Sequence, residues 1–219
     1  MNIQQNIKII NNKIYSINPN AKLVAVTKKH SAEHINTAIA AGVQYIGENK
    51  WQEFESKFVK TRLIASLQER VKFHFIGHLQ TNKVKHVVKY FNCIQSVDSF
   101  AIAQVINNEC AKINKIIDIM VEVNVSVDEN KHGIVKQNLK VLLPKLAEFK
   151  NINLIGFMTI TALQDKKTTR EDFRKMKQMF DMYKDEYGLT ELSMGMSQDY
   201  EIALECGATL VRVGTKIFS

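Results

Sequence analysis

The chain has 219 residues, 45% of them hydrophobic and 24% charged, and a formal net charge of +8. That length buries a core within one domain, while no apolar run reaches membrane-spanning length and the start, Met1-Asn2-Ile3-Gln4-Gln5-Asn6, lacks the basic region and apolar core of a signal peptide. The lysines are spread without a dense block, which argues against nucleic acid and for a solvated basic surface that favours a small phosphorylated ligand.

Ile3, Ile7, Ile10, Ile14 and Ile17 stand three or four residues apart. They draw one apolar stripe on a helix over 1–17, ended by Asn18-Pro19-Asn20. Lys22-Leu23-Val24-Ala25-Val26-Thr27-Lys28 is a short β-branched run and predicts a buried strand. Ser31 caps a helix with Ile35, Ala38 and Ile39 on one face and Gly42 as its stop. A second strand is expected over 43–46, and Gly47-Glu48-Asn49 opens a helix to about residue 68. Residues 73–76 predict a third strand, followed by a helix to about Tyr90. The fourth strand is 93–97. Asp98 or Ser99 caps the next helix, which turns Ile102, Val105, Ile106 and Ile113 inward. The longest β-branched run, 116–125, predicts strand five. A polar loop over 126–133 leads to a helix ending near Phe149. Strand six is 153–158. Thr169 with Asp172 reads as a capping box for a helix carrying Phe173, Met176, Phe180, Tyr183 and Tyr187. A short strand over 191–193, a helix over 199–206 stopped by Gly207, and a strand over 209–213 complete the pattern.

Eight strands alternating with helices predict an α/β fold, a single (β/α)8 TIM barrel with an extra N-terminal helix. A doubly wound open sheet is the alternative. The chain ends four residues after Thr215, which leaves no room for an eighth helix, so the N-terminal helix is expected to cover that gap. With no repeat, linker or low-complexity segment, residues 1–219 are expected to form one domain. Cys93, Cys110 and Cys206 have neither metal-ligand spacing nor a disulfide framework, which predicts a cytoplasmic protein.

A strand that points Val24 and Val26 into a barrel also points Lys28 inward at its C-terminal end, where such barrels keep their chemistry. Partial desolvation and the neighbouring Lys29 would favour a neutral, nucleophilic amine. The loops after strands seven and eight read Ser193-Met194-Gly195-Met196-Ser197 and Gly214-Thr215. Small hydroxyls, glycines and free backbone N–H groups suit phosphate oxygens. His74 and His78 have no matching carboxylate in the sequence and read as structural, so no metal site is expected. Met176, Met179 and Met182 read as packing. Trp51 and Phe54 either shield the pocket or pack helix against barrel.

In order along the chain stand Leu23-Val24-Ala25-Val26-Thr27-Lys28, Gly47-Glu48-Asn49-Lys50-Trp51-Gln52-Glu53, His74-Phe75-Ile76-Gly77-His78-Leu79-Gln80-Thr81-Asn82-Lys83, Ser193-Met194-Gly195-Met196-Ser197 and Val211-Arg212-Val213-Gly214-Thr215. Together they resemble the pyridoxal phosphate homeostasis protein family (PROSC/YggS type), whose members are single barrels of the alanine racemase N-terminal domain type. The resemblance implies that Lys28 forms a Schiff base with pyridoxal 5'-phosphate (PLP). It implies a phosphate cup of Ser197, Gly214 and Thr215, a place for Arg212 beside the pyridine nitrogen, and Asn49 and Met158 along the pocket. His30 is a departure, since many relatives carry a lysine there. The function implied is intracellular PLP (vitamin B6) homeostasis without established turnover, in a monomer that hands PLP to apo enzymes and meets neither nucleic acid nor membrane. An amino-acid racemase acting through Lys28 and a Schiff-base lyase of aldolase type are the alternatives. Racemases sharing this barrel take a second base, a tyrosine, from a separate C-terminal domain, and a chain stopping at Ser219 is expected to lack it. Lys131, in the loop after strand five, is a candidate second aldehyde acceptor.

Overall fold

The computed structural model describes residues 2–59, 70–126, 132–161 and 165–219. Eight parallel strands form a closed barrel in chain order, which excludes the open sheet. They are β1 Lys22–Val26, β2 Tyr45–Glu48, β3 Lys72–Phe75, β4 Cys93–Val97, β5 Ile117–Glu122, β6 Ile152–Met158, β7 Glu191–Ser193 and β8 Leu210–Val213. Closure is by β8 on β1, with Lys22 beside Leu210 and Ala25 beside Val213.

The two faces of each strand separate two cores. Val24, Cys93, Met120, Met158 and Leu210 form a small cluster. Their strand neighbours Leu23, Ala25, Ile94, Ile119, Phe157 and Val211 belong to a large cluster that includes the buried faces of the helices. Side chains alternate between faces along a strand, so the small cluster fills the barrel and the large one lies beneath the outer ring. Several of its members come from aromatic contacts, with Phe54 against Phe58, Phe73 and Phe91.

Helix Ile3–Ile17 carries the expected isoleucine stripe, with Ile7, Ile10 and Ile14 buried. It sits by the seam where the barrel closes, and Asn6 Nδ2 donates to the carbonyls of Ile217 at 3.0 Å and Ser219 at 3.2 Å. That seam also holds a last helical turn, Thr215–Phe218, where the sequence leaves no room for a helix.

Other boundaries move for local reasons. β2 begins at Tyr45, two residues later than expected, because its first ladder pairings are Tyr45 with Val24 of β1 and with Lys72 of β3. β5 stops at Glu122: Val123 bridges instead to Ile134, and Asn124 N–H donates to Ile134 O. Ile116, ahead of that strand, is 66% exposed. Ile113 is exposed because helix Phe100–Lys112 ends before it. The helix Lys166–Tyr187 is capped by Asp165, whose carboxylate accepts from the N–H groups of Lys167 and Thr168. Thr169 and Asp172 are thus interior to the helix, and both are buried. After β2 the chain forms a short helix, Trp51–Phe54, and a π-helical turn, Glu55–Val59; the remainder of the helix expected to about residue 68 lies outside the described residues. Among the described residues no helix is long and apolar enough to cross a membrane.

Candidate functional site

At the C-terminal mouth of the barrel is a cavity of about 360 Å³. Its lining includes Val26, Lys28, Asn49, Ser197, Arg212, Gly214 and Thr215. Six of the seven sequence-derived site residues therefore meet in one place. Met158, the seventh, is fully buried in the barrel-filling cluster and does not reach the cavity wall. A wider groove of about 520 Å³ adjoins it, sharing Asn49 and lined by Trp51, Gly77, His78 and Lys83. The smaller cavity is the better candidate because it gathers an amine, hydroxyls and a guanidinium at the ends of β1, β7 and β8.

Lys28 lies two residues beyond β1 and is exposed, so the expected desolvation of its amine is not found. What the fold fixes instead is the turn that carries it. Thr27 is buried, and its hydroxyl donates to the Glu48 carboxylate. Lys57 Nζ donates to Thr27 O at 2.7 Å and to Glu48 Oε1 at 3.1 Å, and pairs with Glu53 at 2.7 Å. Glu53 in turn accepts the N–H of Lys29, which holds the left-handed φ of 64°. Burial pushes the Glu48 carboxyl above its ordinary range, against the pull of Thr27 and Lys57. This clamp was not legible in the sequence, because it joins β1 to the turn after β2 through ordinary charged residues.

Arg212 is 3% exposed. Its Nη1 donates to Ser193 Oγ at 2.6 Å and its Nη2 to Thr159 O at 2.8 Å. Burial lowers its pKa to about 10, against Glu122 and Asp199, and leaves it charged at neutral pH. The polar chain continues down the barrel. Ser193 Oγ donates to Gln95 Oε1 at 2.7 Å, and Gln95 Nε2 meets His74 Nδ1 at 2.7 Å. An amide nitrogen only donates, so His74 accepts at Nδ1 and carries its proton on Nε2. His74 is thus held within the polar chain that fills the barrel.

The two mouth loops are tied together at Ser197, whose Oγ accepts from Gly214 N–H at 3.3 Å and Lys216 N–H at 3.5 Å. Gly195 is required by its φ of +90° and by crowding, since a Cβ there would lie 2.4 Å from that of Ala203. A Cβ at Gly214 would meet Val26 O at 3.0 Å, so glycine lets this loop lie on the end of β1. Asp199 holds the same turn, accepting from Met196 N–H at 2.6 Å and Thr161 Oγ at 3.5 Å. Asn49 Oδ1 is buried at the cavity wall with no hydrogen-bond partner among the described residues.

Around this site, Trp51 stacks on His86 and Tyr90, so it packs helix against helix. Met176 and Met179 are buried, whereas Met182 is 59% exposed. Lys131 lies outside the described residues.

Residues 1–219 match the family described as alanine racemase, N-terminal domain. The pyridoxal phosphate homeostasis protein of Aquifex aeolicus is 38% identical over 201 residues, 90% of this chain and 86% of that protein. Its namesake from Synechocystis is 36% identical over 209 residues, 94% of each. This chain belongs to the pyridoxal phosphate homeostasis protein family. Among solved structures, PipY of Synechococcus elongatus with PLP bound superposes with a TM-score of 0.88 at 30% identity, over 99% of this chain and all of that one. The alanine racemase of Corynebacterium glutamicum, at 14% identity and a TM-score of 0.72, shares the fold over 98% of this chain and 59% of its own. As a member of the homeostasis family, the chain keeps the family's barrel whole. Its mouth is assembled from the same motifs that carried the resemblance.

Proposed function

We propose that this chain binds PLP at the mouth of its barrel and holds it for supply to other proteins, as a PLP-homeostasis protein without turnover of its own. The observation that carries this is the convergence of Lys28, Asn49, Ser197, Arg212, Gly214 and Thr215 on one cavity. Its volume lies within the range of small-cofactor sites. The orphaned Asn49 Oδ1 is a buried acceptor that a bound ligand would satisfy. PLP supplies an aldehyde to react with an amine, a phosphate, and a pyridine ring that can stabilise a carbanion when its nitrogen is protonated. Lys28 is the amine on the cavity wall that would hold PLP through its aldehyde, whose oxygen would leave as water. Ser197 and Thr215, with the N–H groups of the β8 loop, bind the phosphate. Arg212, held by Ser193 and Thr159, faces the ring nitrogen. A guanidinium has no acceptor for a proton on that nitrogen, so it keeps the ring unprotonated. Residues 1–219 act as one binding unit, monomeric and cytoplasmic, with apo PLP-dependent enzymes as recipients.

The test is the visible absorbance of the purified chain before and after borohydride, followed by peptide mapping. We expect a band that borohydride removes, with reduced PLP on Lys28 and none after Lys28→Ala. Label on Lys29 or Lys83 in the intact chain would overturn the assignment. A colourless chain that takes up no PLP would overturn the reading itself.

A further inference from the structure

We propose that His78, Asp98 and His132 form a binding site for a divalent transition-metal ion of the zinc class, beside the PLP cavity. The three residues follow consecutive strands. His78 stands in the loop after β3, Asp98 directly after β4, and His132 in the connection after β5. The barrel therefore brings them together at its C-terminal face although they are far apart in the chain. One donor atom from each lies within 4.8 Å of the other two. Asp98 Oδ2 is 3.2 Å from His78 Nδ1 and 3.8 Å from His132 Nδ1. The two imidazoles lie face to face, centroids 4.1 Å apart and planes 16° from parallel.

Two imidazole nitrogens and one carboxylate oxygen are a donor set that zinc accepts, and three protein ligands leave a position for water. Ligands about 2.0–2.2 Å from a tetrahedral ion stand roughly 3.3–3.5 Å from one another. The His78–Asp98 separation is already near that, and the His132–Asp98 separation needs to close by a few tenths of an ångström. Parallel rings must also tilt so that their lone pairs converge. They have room to do so: the side chains of His78 and His132 are 48% and 60% exposed, while that of Asp98 is 16% exposed. The carboxylate is thus an anchor at the end of β4, and the histidines close on it. The simpler occupant of this geometry, a hydrogen-bonded His–Asp pair with a second ring stacked on it, makes a different forecast.

The experiment is calorimetric titration of the full, tag-free, chelator-stripped chain with Zn2+, run both PLP-free and PLP-loaded, so that its outcome is separate from that of the PLP reading. We expect one equivalent to bind in both forms. His78→Ala or His132→Ala should each weaken binding at least about tenfold, and His30→Ala with His34→Ala should leave it unchanged. No stoichiometric binding, or binding indifferent to His78→Ala and His132→Ala, overturns the site. If either variant fails to fold, Co2+-induced shifts of the histidine ring signals in the intact chain decide. Shifts confined to His78 and His132 support the site, and their absence or their appearance at other histidines overturns it.

Discussion

His74 shows how burial sets the behaviour of a single side chain. It is enclosed in the barrel, edge-on to Tyr45, and joined to Gln95. Burial, with Lys72 and Lys22 adding to it, lowers its pKa to about 3. The unfolded chain takes up that proton near the ordinary histidine value, so the folded state binds fewer protons between about pH 3 and 6.5. Stability is therefore present above pH 6.5 and lost as pH falls below it. The loss from this group alone is about 2 kcal/mol by pH 5. His74→Gln should show a smaller fall in urea midpoint between pH 7 and pH 5 than the parent chain. Equal falls would show that His74 is not the cause, and a ring titration by NMR with a midpoint above pH 5 would refute the assignment even if the variant is unstable. At this scale the sequence was only partly legible. A lysine after a β-branched run marks itself, but His74's protonation state depends on Gln95 and Ser193, which no local pattern joins to it. Lys28 lines the cavity at the mouth yet is exposed, because exposure depends on how far the turn carries the side chain beyond Val26.

The elements that matter most are the loops after β7 and β8. Their positions were readable from a period-two strand ending in glycine and small hydroxyls, since the sheet fixes where each loop emerges. Strand ends elsewhere were less readable. The run over 116–125 is rich in β-branched residues to its last position, yet the strand ends at Glu122 and Val123 bridges to Ile134. A capping pattern at Thr169 was outcompeted by Asp165, which stands one residue before the first helical position. If the mouth loops hold phosphate, pyridoxal should bind far more weakly than PLP. Ser197→Ala with Thr215→Ala should then narrow the difference, because hydrogen bonds to a charged group contribute about 1.5–3 kcal/mol each. Fluorescence or absorbance titration of both ligands against both proteins measures it. Equal affinity of the parent chain for pyridoxal and PLP would eliminate the phosphate cup. Ser197 also stitches the loops together, so a thermal midpoint should accompany the titration to separate lost contacts from a loosened mouth.

For the whole molecule, the alternation of strands and helices was legible because a barrel repeats one unit, and the N-terminal helix because its isoleucine stripe needs a partner. What alternation could not decide was closure, which rests on β8 pairing with β1 across the length of the chain. Closure also fixes which groups can act on a bound amino acid. Inverting a stereocentre needs a base on one face and an acid on the other. Lys28, Asp199 and Arg212 are the ionisable residues lining the cavity among the described residues. Asp199 is engaged by Met196 and Thr161, and Arg212 is tied to Ser193 and Thr159. Among the described residues no tyrosine lines the cavity. Tyr45 starts β2 at the opposite end of the barrel, and Tyr183 packs on Phe157 in the outer layer. Tyr200 is buried beneath the cation of Lys216, its hydroxyl pKa pushed up to about 12 by burial. On the proposed reading, Lys28 is left as a base for one face, beside a ring that Arg212 would keep a poor electron sink. We therefore expect the PLP-loaded chain at high concentration to exchange the α-proton of alanine or serine with deuterated solvent slowly at most, and without inversion. Deuterium incorporation with chiral analysis reads both events. Rapid inversion that disappears in Lys28→Ala would make this barrel a racemase and would require a second proton donor that reaches the open face.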